Sequence, residues 1–214
     1  MAGETQEDII NGALTKLGAN PITALTDGSL ESERVEYVYD FVLKDLQRSY
    51  PWKFLITRGE LTEDATPPEW GYSARYAMPI DSLRLLDVRS TGVNTGYAVR
   101  NLKVDAWDLE AGFILCDVSD NIWIRYLKYE PVVEKWDDSF MQVMMTALAL
   151  ELCEAFTQDG NKKNQLAREL STRLLQAASN DSFEMQPRTL NDPSNYEKVR
   201  WQAPGTTRSI RAYK

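Results

Sequence analysis

Residue periodicity changes twice along this chain, and those two changes constrain its fold more than any single motif. Up to Arg48 the apolar residues recur every three or four positions, as on one face of an α-helix. From Phe54 to Tyr129 they recur every second position or in short runs, as in strands, and from Asp137 the helical spacing returns. The order helix, helix, strands, helix, helix predicts an α+β fold: a bundle of about four helices interrupted by an inserted antiparallel β domain.

Local signals place the elements. Thr5 can cap a first helix that carries Ile9, Ile10, Ala13, Leu14 and Leu17 on one face, with Glu7 and Asp8 near its N-terminal dipole and Gly18 as its stop. Ser29 can cap a second helix, with Val35, Val38, Val42 and Leu46 as its apolar row. Pro51 ends it, because proline disfavours helical geometry in the preceding residue and has no N–H to donate. Six strand-like runs follow, FLITRGEL, ARYAMPI, LRLLDVRS, YAVRNLKV, AGFILCDV and NIWIRYLKY, separated by Pro, Gly, Asn and Asp. Their short connections suit antiparallel pairing, since parallel strands need long crossovers. A third helix starts at Asp137 or Asp138 and turns Phe140, Val143, Met144, Ala147 and Leu148 inward, and Met141 and Met145 extend this adaptable filling. A fourth, from about Lys162, spaces Leu166, Leu170, Leu174 and Ala178 four apart. The bundle therefore comprises residues 1–50 and 132–186, and the β domain residues 51–131.

Pro51, Trp52 and Phe54 fall where the chain leaves the helices and enters the strands, so they are expected to fill the joint between two layers rather than line a ligand pocket. Residues 187–214 have neither period and read as an extended C-terminal docking arm. Its Tyr196, Arg200, Trp201, Arg208, Arg211 and Tyr213 are of types that concentrate in interface hot spots, and they form the candidate partner-binding set.

Charge separates the arm from the rest. The arm carries six cationic residues against Asp192 and Glu197, hence +4, while the net −8 of the whole chain leaves −12 on the body. An acidic body repels the phosphate backbone of nucleic acid. The 214 residues include no histidine, which removes the usual general base, nucleophile activator and metal ligand together. The turn GVNTG at 92–96 lacks the Lys and Ser/Thr of a phosphate loop, and DVSDNI at 117–122 has Ile122 where a calcium loop needs glycine. Cys116 and Cys153 are far apart, without CxxC spacing, and are expected as buried free thiols. No catalytic, cofactor-binding or metal site is expected, and the chain reads as a non-enzyme. No apolar run approaches the roughly 20 residues that span a bilayer, and MAGETQEDII is unlike a signal peptide. The expectation is an intracellular protein without membrane association.

Four stretches, in this order, carry a resemblance: LTKLGANPITALTD, the acidic helix ending in RSYPWKF, YAMPIDSLRLLDV, and NDPSNYEKVR after the last helices. Together they resemble the head-to-tail adaptor (connector) proteins of short-tailed bacteriophages, of the tail tubular protein A type. The resemblance implies a helical bundle with a β domain, assembling in the host cytoplasm as a twelve-fold ring beneath the portal protein after DNA packaging. Such a ring belongs to the neck of the virion, extends the channel for double-stranded DNA and offers a platform to the tail nozzle protein. Acidic channel walls let DNA pass without adhering, because favourable phosphate contacts are missing. Two other readings compete. A virion-associated hydrolase using carboxylates needs two positioned acids, one with a raised pKa. A DNA-packaging component needs a basic recognition surface on the folded body.

Overall fold

The structure, a computed structural model, describes residues 4–90 and 102–183, and its architecture is α+β: four helices and two antiparallel sheets. The arm at 187–214, with all six of its candidate residues, lies outside the described residues. Residues 1–181 form one compact unit, so the helices and the β insertion are not separated as units.

Helix α1 spans Gln6–Leu17. Its N-terminus is closed by a reciprocal pair: the Asp8 N–H donates to Thr5 Oγ1 (3.2 Å) and the Thr5 N–H donates to Asp8 Oδ2 (2.9 Å). Gly18, at φ 73°, ends the helix in the left-handed region that glycine enters without a Cβ clash. Helix α2 spans Leu30–Ser49, with Ser29 as its cap. Its fully buried row is Val35, Tyr39, Leu43 and Leu46, while Val38 and Val42 are only half-buried. The inward face is thus turned from the expected one: the α2 apolar stripe is wider than the strip covered by its neighbours, and its Val38–Val42 edge is left at a groove.

Helix α3, Asp138–Phe156, is the centre of the bundle and packs against both α1 and α2. Phe140, Val143, Met144, Leu148, Ala149 and Cys153 are all fully buried. Its 19 residues are long and apolar enough to cross a bilayer, which corrects the expectation that no run approaches that length. Here that apolarity fills a protein core. Asp137 caps α3 by accepting from the Ser139 N–H at 2.8 Å. Helix α4, Gly160–Phe183, starts slightly earlier than expected; Leu166 and Ala177 are its buried contacts, and Leu170 and Leu174 are partly covered.

The strands are β1 Ile56–Leu61, β2 Ala74–Ala77, β3 Ser82–Ser90, β4 Leu102–Lys103, β5 Trp107–Glu110, β6 Phe113–Cys116 and β7 Ile122–Lys128. They form two sheets, ordered β1-β7-β3-β4 and β2-β6-β5, with every pairing antiparallel. Among the described residues the six runs thus become seven strands. The additional one, β5, is a sheet edge whose Asp108, Leu109 and Glu110 are exposed, so it lacks the apolar alternation of a half-buried strand. Of YAVRNLKV, only Leu102–Lys103 is described as strand.

Period two along β7 explains how the sheets join the bundle. Ile122, Ile124 and Tyr126 point into a β core with Ala74, Tyr76, Val88, Ile114 and Cys116, whereas Leu127 points into the helical core. Both cysteines are free thiols, one in each core.

One loop carries a pH dependence. Asp27, just before α2, accepts from the Ser29 N–H (2.9 Å) and the Thr23 N–H (3.0 Å). Ser29 first, then Thr23, holds its carboxyl far below the ordinary carboxylate range. A depressed folded pKa gives stability that is complete above the unfolded value near about 4 and is lost as pH falls toward the folded one. Acid unfolding curves should show this, and Asp27→Asn should be less stable than the parent at neutral pH while flattening the acid limb. An unchanged acid limb would deny Asp27 this role.

Candidate functional site

Where the chain passes from bundle to sheet, α2 ends and an aromatic cluster begins. Tyr50 takes extended geometry (φ −132°, ψ 145°), as a residue before proline must, and Lys53–Leu55 make one 3-10 turn that leads directly into β1. Trp52 is 1% exposed. Its indole N–H donates to the Leu46 carbonyl at 3.0 Å, satisfying one of the acceptors that the end of α2 leaves open. Its ring meets Tyr50 (4.9 Å) and Phe140 (5.1 Å) edge to face, and Phe54 lies 5.1 Å from Phe140 and 6.5 Å from Trp52. Trp136 closes the set at 5.2 Å from Phe140, with its own N–H on the Glu130 carbonyl at 2.9 Å. Pro51 is half-buried beside these rings.

Sequence reasoning identifies Pro51, Trp52 and Phe54 but not the group that straps the two ends of the β insertion. Gln47 has no exposed surface. Its amide donates to the Glu130 carbonyl (2.7 Å) and accepts from the Glu130 N–H (3.1 Å), so a side chain imitates one rung of a sheet. A glutamine at a position that otherwise continues the buried helix face is the signal that could reveal it.

The second feature is a groove of about 500 Å³ formed by α2, α3 and α4, with Tyr37, Phe41, Leu150 and Leu170 among its walls and Asp45 and Glu151 at its edge. Tyr37 is 80% exposed and Phe41 71% exposed, one helical turn apart. Neither Asp45 nor Glu151 has an ion pair or hydrogen bond among the described residues. Some charges elsewhere on the helices are paired. Lys16 and Arg173 both reach Glu169, whose carboxyl is lowered chiefly by Lys16, and Lys163 lowers Glu154.

A third, acidic hollow of about 450 Å³ lies at the β end, between Glu60, Glu63, Ser119, Asp120 and Asn121. The Asn121 amide donates to Glu60 Oε1 at 2.8 Å. The adjoining DVSDNI turn is tied down from within: the buried Tyr76 hydroxyl lies within hydrogen-bonding distance of the Val118 and Asp120 carbonyls, and burial pushes its pKa up to about 12. No group of three or more potential metal ligands occurs among the described residues. Every carboxyl with a displaced pKa there, namely Asp8, Asp27, Asp40, Asp64, Glu154 and Glu169, is displaced downward, through hydrogen bonds from neighbours.

Comparison with protein-family models finds no match, and comparison with curated proteins finds no significant relative.

Proposed function

We propose that this chain is a structural protein of a short-tailed phage virion, a head-to-tail adaptor. It assembles as a ring beneath the portal protein, extends the DNA channel and carries the tail nozzle protein. The observation that carries the reading is the architecture itself: a helical core interrupted once by antiparallel strands, in a chain whose four family-like stretches fall in the family's order. Its features suit work done by surfaces. The body is acidic, the C-terminal segment is basic and aromatic, and a groove of the body is walled by exposed aromatics. Double-stranded DNA passes such a body without sequence-specific binding, since a net negative wall releases no counterions. No cofactor enters this role.

The test is assembly. Alone, the purified protein should be a monomer by native mass spectrometry; mixed with purified portal of the same virion, it should appear in electron micrographs as a twelve-fold ring at one end of the portal. Absence of any complex at micromolar concentrations would end the adaptor reading. Duplex DNA affinity that falls steeply with salt would favour a packaging component instead.

A further inference from the structure

The groove between α2, α3 and α4 has a chemistry that nothing within the described residues uses. Its floor and walls are apolar, through Tyr37, Phe41, Leu150 and Leu170, and its two carboxylates, Asp45 and Glu151, make no ion pair or hydrogen bond among the described residues, although Glu151 lies within the field of Lys163. A fitting occupant presents an aromatic ring to fill the apolar floor and cations within reach of two carboxylates. Arginine suits best, since its planar fork binds a carboxylate at two points and its face stacks on rings such as Tyr37 and Phe41.

The sequence contains such an occupant. Arg200 and Trp201 are adjacent, and Arg208 follows in the same +4 segment. Residues 187–214, fully extended, span up to about 90 Å, enough to reach a neighbouring molecule. We infer that the groove is the receptor for the C-terminal segment of a second copy of this chain, with Trp201 on the apolar floor and Arg200 on Asp45 or Glu151. The inference rests on the adaptor reading for its biological setting and adds the surface on which subunits join. A contact between a tail on one copy and a groove on the next is heterologous, and heterologous contacts are the kind from which closed rings are built.

A fluorescent peptide of residues 187–214, titrated with the full-length chain and followed by anisotropy, tests this. The peptide should bind, and Phe41→Ser should weaken it by at least about tenfold, as loss of a central aromatic anchor does. Phe41 is exposed, so that variant keeps the fold, which circular dichroism checks. Asp45→Lys should also weaken binding, and Arg200→Glu in the peptide should do the same on the parent chain. Equal binding to parent and Phe41→Ser, or no binding, overturns the inference. Loss of self-association in Phe41→Ser without peptide binding would replace the segment by a groove-to-groove contact, and also overturns it. The two readings fail separately. Phe41-dependent peptide binding by a chain that never forms rings on portal removes the adaptor role and leaves this contact standing. Complete rings from a chain whose groove takes no peptide remove the contact alone.

Discussion

Trp52→Ala should lower the stability of the chain by about 3–5 kcal/mol in denaturant unfolding, the range for removing a large buried aromatic. The side chain touches nearly everything at the joint: the Leu46 carbonyl at the end of α2, Tyr50 and Phe54 beside it in sequence, and Phe140 in the first turn of α3. Truncation opens a cavity beneath the entry to β1 and removes one of the two donors to the Leu46 carbonyl, leaving the Ser49 hydroxyl. Against a total stability of about 5–15 kcal/mol for an ordinary domain, that is a large fraction. Trp123→Ala, on the more exposed outer face of β7, serves as the control and should cost far less. A loss below about 1 kcal/mol in Trp52→Ala, accompanied by loss of partner binding, would make Trp52 a contact residue and not a structural one.

Reversing two charges of the arm, Arg200→Glu with Arg208→Glu, should leave thermal unfolding unchanged and abolish stable attachment to portal. Like charges brought together at an interface cost several kcal/mol, so affinity should fall by more than about a hundredfold. On the proposed docking, the acidic surface facing the arm would then repel it. Sedimentation of the portal mixture measures the effect, and rings of undiminished affinity from the double variant would mean that the arm plays no part in docking.

Much of the helical half is legible in the sequence because its signals are local. Thr5, Gly18, Ser29, Pro51 and Asp137 act within a few residues of themselves, and each lies at an observed helix end or next to one. What depends on distant partners is not legible in this way. The turned face of α2 follows from where α3 lies, which no pattern within residues 30–49 encodes. The division into two sheets depends on β7 pairing with β1 and β3, while β6 pairs with β2 and β5. The candidate site shows the same limit. Trp52 stands out by its position behind Pro51, but Gln47 acquires meaning only through Glu130, far along the chain. Tyr37 and Phe41 are the exception: their spacing is visible, yet they lie off the expected apolar row and are easily passed over as surface.

The β insertion begins and ends side by side. Ile56 pairs with Leu127 at its root and Leu61 pairs with Ile122 further out, while Gln47 clasps Glu130 just beyond. Everything between Leu61 and Ile122 is entered and left through this two-stranded stem, and only β3 returns to the helical half, where Leu83 and Leu86 pack against its core. Such a graft point separates two histories. Recombination can exchange the outer sheet β2-β6-β5 for another while β1, β3 and β7 stay in place, at a closure entropy that grows only slowly with loop length. A lineage could thereby change whatever its outer face meets while inheriting its helical half intact.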